Sequence, residues 1–134
     1  MRVINRVFAA VVLGALSGPA LAWQANNRHT VNPVSDVNFE VVGRPGSSGV
    51  QFWCAAGDYA RQVLGVSAVQ RIYLVRGPAP AVTRNWNRAV LFSLVAPQGA
   101  DLRPGFTLSM KRVGDNMNAA DALAYCLDEK LRDY

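Results

Sequence analysis

The stretch FWCAAGDYARQVLG, residues 52–65, decides the fold, because it sets one of the chain's two cysteines on a helical pattern beside an acid and a base. At 100° per residue, Gln51, Asp58, Arg61 and Gln62 fall within about 80° of Cys54, and Phe52, Ala56, Tyr59 and Val63 take the far side. Cys54 therefore lies on the polar face, an odd place for a residue type that is among the most buried. The second cysteine, Cys126, lies on the apolar face of another helical pattern, with Ala119, Ala122, Leu123 and Leu127. A Cys54–Cys126 disulfide would lay that apolar face over the polar face of the first helix. A free Cys54 would instead be a candidate nucleophile, its thiolate favoured by the helix dipole and by Arg61.

The start of the chain favours the disulfide. In MRVINRVFAAVVLGALSGPALAW, Arg2 and Arg6 precede an apolar run, and Gly18, Pro19 and the small-x-small triplet Ala20-Leu21-Ala22 follow it, which is the layout of a secretory signal peptide. The run is about 10 residues, short of the ~20 that span a bilayer. Cleavage after Ala22 is expected, so residues 1–22 are a signal peptide and residues 23–134 one periplasmic or secreted domain with a single modest core. An even cysteine count behind an export signal is the usual mark of oxidative pairing, and two cysteines allow one intramolecular connectivity. In that form neither sulfur is a nucleophile.

The remaining pattern is α+β. HTVN (29–32) and NFEVVG (38–43) read as short strands around the turn-prone PVSD, with Phe39 and Val41 on one face. GRPGSSG breaks the chain, and Ser48-x-x-Gln51 resembles a capping box that starts a helix from about Val50 to Leu64, with Gly65 as its stop. VQRIYLVR from Val69, RAVLFSLVA from Arg88 and FTLSMKRV from Phe106 read as three strands able to pair as a meander. From Asn116 to about Leu131 the period is helical again. The order is β-β-α-β-β-β-α, and the expected packing is two layers, two helices on an antiparallel sheet of about four to five strands.

Charge narrows the function classes. The full chain carries +5, and losing Arg2 and Arg6 lowers this to +3. Between residues 59 and 100 lie five arginines and no acid, whereas residues 113–134 are acidic, so the tail is expected to fold back and offset the middle. That balance is too mild for a specific nucleic-acid domain. A protein, a glycan or an anionic cell-surface polymer is the expected kind of partner. One histidine and two distant cysteines build no familiar zinc site, so neither metal nor cofactor is expected.

Three places could carry function. RNWNR offers Arg84, Trp86 and Arg88 at a hairpin end, with Arg71 and Arg76 on the neighbouring strand, the ingredients of a sugar, peptide or anion contact. The loop with Arg44, Gly46, Ser47, Ser48 and Gly49 precedes a helix N-terminus and could hold an anion, although it matches neither the P-loop nor the dinucleotide fingerprint. Cys54 with His29 could form the nucleophile and base of a cysteine-dependent hydrolase or transferase.

The stretches WCAAGDYA (53–60) and RIYLVRG (71–77) resemble a group of small, uncharacterised exported bacterial proteins of alphaproteobacterial type. The resemblance implies export and a single domain, and carries over no activity, ligand or functional residue. The expectation is a stapled, non-catalytic binding or interaction module, with the cysteine hydrolase as its alternative.

Overall fold

The computed structural model describes residues 22–84, 87–105 and 108–132, with the backbone alone at 128–132. Residues 1–21 of the expected signal peptide lie outside the described residues. The elements are β1 (Trp23–Gln24), β2 (Thr30–Pro33), β3 (Asn38–Val42), α1 (Gly49–Gln62), β4 (Arg71–Pro80), β5 (Arg88–Ser93), β6 (Asn116–Asn118) and α2 (Ala119–Arg132). All six strands join one open antiparallel sheet in the order β1-β2-β3-β5-β4-β6. The fold is α+β as expected, with one strand more.

Strand alternation builds the core. Val31 pairs with Val41, Val41 with Val90, Phe39 with Phe92 and Leu74 with Phe92, so one sheet face is a continuous apolar row. Against it packs α1, whose Trp53 ring meets Phe92 at 4.9 Å and whose Tyr59 ring meets Phe39 at 4.8 Å. These offset and edge contacts suit the quadrupoles of the rings. The α1 start is tied as the sequence suggested, the Ser48 N–H donating to Gln51 Oε1 at 2.6 Å. Gly65, with φ +64°, accommodates the turn after the helix.

α2 lies across α1, and the two are linked by the Cys54–Cys126 disulfide, with Cα atoms 4.8 Å apart and the cysteines 72 positions apart in sequence. Between the sheet and α2 the whole run Phe52–Ala60 is buried. Of the polar face of α1, Cys54 and Asp58 are covered, as the disulfide reading required, whereas Arg61 and Gln62 stay exposed. Asp58, on the same face of α1, is sealed from solvent at 1% exposure. Its Oδ2 accepts the Asn26 N–H at 2.8 Å, and its Oδ1 has no partner among the described residues.

The last strand departs from expectation. Phe106 and Thr107 lie outside the described residues, and 108–113 forms no strand. The alternation there is real as packing, because Leu108 and Met110 lean on the core while Ser109 and Lys111 face solvent. A ladder fails because β4 has little to offer beyond Leu74: its register shifts twice between Leu74 and Ala79, and Pro78 and Pro80 carry no N–H. Pairing happens earlier along β4 instead. Leu74 exchanges hydrogen bonds of 2.8 Å with Asp115 and Gly114, and Tyr73 and Arg71 pair with Asn116 and Asn118. Thus β6 joins β4 on the edge away from β5, not as the third strand of a meander, and α2 begins at Ala119 instead of Asn116.

Candidate functional site

The disulfide withdraws the cysteine alternative. Cys54 is fully buried and its sulfur is bonded to Cys126, so the thiolate that a Cys54–His29 pair needs is absent in this form. The imidazole of His29 meets Ser47 instead.

The hairpin between β4 and β5 is held down. Glu40, on β3, is fully buried on the sheet face away from the helices. Its carboxylate accepts the Val82 N–H at 2.9 Å, the Thr83 N–H at 2.7 Å and the Thr83 hydroxyl, which in turn accepts from Asn32 Nδ2 at 2.7 Å. Residues 82–83 are thereby drawn across the sheet. Glu40→Ala is expected to leave these donors to find water by opening the loop, at a cost of about 2 kcal/mol. Hydrogen exchange should show the Val82 and Thr83 amides losing protection while those of β3 and β5 keep theirs.

The arginines named from the sequence do not form one surface. Arg71 sits at the opposite end of β4 from the hairpin turn, about 30 Å away along the strand, and donates to Asn116 Oδ1 at 2.9 and 2.5 Å. Arg76 donates to the Pro80 carbonyl at 3.1 Å and Arg88 to that of Pro78 at 2.6 Å. Arg84 is exposed, and Trp86 lies outside the described residues. Of the acidic tail expected to offset the middle, the side chains of Asp128, Glu129 and Asp133 lie outside the described residues. Among the described residues the ion pairs are Arg103–Asp101, Arg112–Asp101 and Arg112–Asp115, while Arg61, Arg71, Arg76 and Arg88 donate to neutral oxygens. Arg103 beside Asp101 holds that exposed carboxyl well below the usual carboxylate range.

A different pair of loops does converge. An open cleft of about 840 Å³ lies between residues 26–29 and 44–51, with Asn27, Arg28, His29, Arg44, Ser47 and Gln51 among its walls. The anion loop read from the sequence supplies one wall, and the NNRH segment ahead of β2 supplies the other. Neither Arg28 nor Arg44 has an ion-pair partner among the described residues. Arg28 holds φ +66°, the only non-glycine residue in the left-handed region among those described. That conformation costs an L side chain on the order of 1 kcal/mol. His29 is 4% exposed, its Nε2 2.8 Å from Ser47 Oγ and its Nδ1 3.3 Å from the Asn27 carbonyl.

Sequence reasoning found both His29 and Ser47 and did not join them. The register joins them: antiparallel pairing of Val31 with Val41 brings the residues before β2 beside those after β3. Among the described residues no three His, Cys, Asp or Glu side chains gather to hold a metal ion. No helix among them is long and apolar enough to cross a membrane. No protein-family model, no curated protein and no solved structure matches this chain, so its function is read from geometry alone.

Proposed function

We propose that the chain is an exported, disulfide-stapled module that binds an anionic group, a carboxylate, phosphate or sulfate of a glycan or cell-surface polymer, in the cleft between residues 26–29 and 44–51. The disulfide supports an oxidising compartment, where such bonds persist. One observation carries the site: Arg28 keeps a strained backbone at the edge of an open cleft, where strain accumulates for function more than for stability. Arg44 stands on the other wall, and both guanidinium groups are without acidic partners among the described residues. Paired forks of this kind suit oxyanions. The hairpin end is the less favoured surface, because Arg76 and Arg88 spend donors on its own carbonyls.

Titration with inorganic phosphate, followed by amide chemical shifts, tests the reading. The amides of residues 46–51 are expected to move together and saturate, and Arg44→Ala to weaken binding about tenfold. Arg28→Asn should weaken binding similarly while raising stability by roughly 0.5 kcal/mol, since asparagine tolerates the left-handed region. Opposite signs in binding and stability separate a ligand-holding arginine from a structural one. Absence of any saturable shift in residues 46–51 would sink the reading.

A further inference from the structure

We propose that Ser47 and His29 form a serine–histidine dyad that transfers the acyl group of anionic esters seated in this cleft, an inference that rests on the cleft being the binding surface. The hydrogen bonds assign the protons. The Asn27 carbonyl can only accept, so the His29 nitrogen facing it, Nδ1, carries the hydrogen, and Nε2 presents its lone pair to Ser47 Oγ at 2.8 Å. Ser47 Oγ accepts the Arg44 N–H at 2.8 Å, and with Nε2 as an acceptor its own proton is directed at that nitrogen. This is the orientation a general base needs toward the hydroxyl it activates, at the distance it needs.

The surroundings hold that orientation. Ser47 sits in a turn closed by its N–H on the Arg44 carbonyl at 2.9 Å, next to Gly46 at φ +81°. Asn27 grips the histidine by a second contact, its Oδ1 accepting the His29 N–H at 3.2 Å, and is itself fixed by donating to the Gln51 carbonyl at 2.9 Å. Phe52 packs edge-on against the imidazole, with ring centres 6.1 Å apart. The base is thus buried behind a half-buried hydroxyl that opens on the cleft. Val50, on the cleft wall, lies in the first turn of α1, where backbone N–H groups have no preceding carbonyl in the helix and can meet a developing oxyanion.

In the reaction, Ser47 Oγ forms a bond to the ester carbonyl carbon and passes its proton to His29 Nε2. The bond from that carbon to the alcohol oxygen then breaks, and the alcohol leaves with the proton from Nε2. Water next attacks the acyl-serine, giving one proton to Nε2, which returns it to Ser47 as the acid departs. Ester and water become acid and alcohol, with no redox partner. Arg28 and Arg44 select esters that carry a second, anionic group.

The test uses the oxidised exported protein and an alkyl fluorophosphonate, in which an oxygen–phosphorus bond forms as fluoride leaves. Intact mass and peptide mapping are expected to show one adduct, on Ser47 in the unmutated protein, with labelling slowed on the order of 100-fold in His29→Gln. Mapping needs no variant, so instability of His29→Gln does not remove the test. A carboxylate-bearing aryl ester should turn over about tenfold faster than its neutral counterpart, and Arg44→Ala should erase the difference. No adduct on Ser47, with phosphate still shifting the amides of 46–51, would overturn the dyad and leave the binding cleft standing. An adduct without any response to phosphate would overturn the preference for anionic esters.

Discussion

Replacing Cys54 and Cys126 together by alanine is expected to cost about 4 kcal/mol. The magnitude follows from the separation of the cysteines by 72 positions: opening so long a loop returns much conformational freedom to the unfolded chain. A domain of this size has roughly 5–15 kcal/mol in all, so the variant would sit near the edge of folding at body temperature. Thermal unfolding should fall by about 15 °C or more. Burial adds a kinetic signature. With Cys54 fully covered and Cys126 only 8% exposed, reductant alone should leave the bond intact over times in which reductant with denaturant opens it. Alkylation and intact mass read both: two labelled thiols in native material without reductant would contradict the staple.

Much of this staple was legible because it rests on rules that need no partner strand. A start that reads as an export signal and an even cysteine count point to pairing, and the helical wheel sets Cys54 and Asp58 on the face that is covered. Glu40 shows where such reasoning stops. Alternation correctly sends Phe39 and Val41 inward, and by the same rule assigns Glu40 to solvent, yet residues 82–83, more than forty positions later, fold over it. The segment 108–113 errs in the other direction. Its alternation reports which side chains face the core and says nothing about which backbone groups find partners, and the prolines of β4 refuse them.

The cleft illustrates a third kind of gap. His29 and Ser47 each stood out as residue types, but their meeting depends on the register of β2 on β3, and a slip of one residue would move the pair apart. Arg28 is less legible still. Asn27, one position earlier, is the residue type that commonly takes a left-handed conformation, and the chain places arginine there instead. That mismatch between local preference and observed backbone is where function most often overrides stability.

Gly57→Ala should be the most instructive variant of the helix pair. On an exposed helix the change would stabilise by about 1 kcal/mol. Here a Cβ at residue 57 would meet the backbone nitrogen of Leu123, and would lie 2.8 Å from both the carbonyl carbon and the Cβ of Ala122, closer than real contacts allow. α2 would have to retreat, and the Cys54–Cys126 bond one turn away opposes that. Overpacking of this kind costs up to about 3 kcal/mol, enough to reverse the propensity gain. A double-mutant cycle separates the two restraints. With both cysteines replaced by alanine, α2 is free to move outward, so Gly57→Ala should cost at least about 1 kcal/mol less than in the stapled protein. Such coupling would mean that the disulfide does more than limit the unfolded chain, because it also sets the spacing at which a glycine is required. Simple additivity would mean that the small residues alone hold the helices together at Gly57 and Ala122.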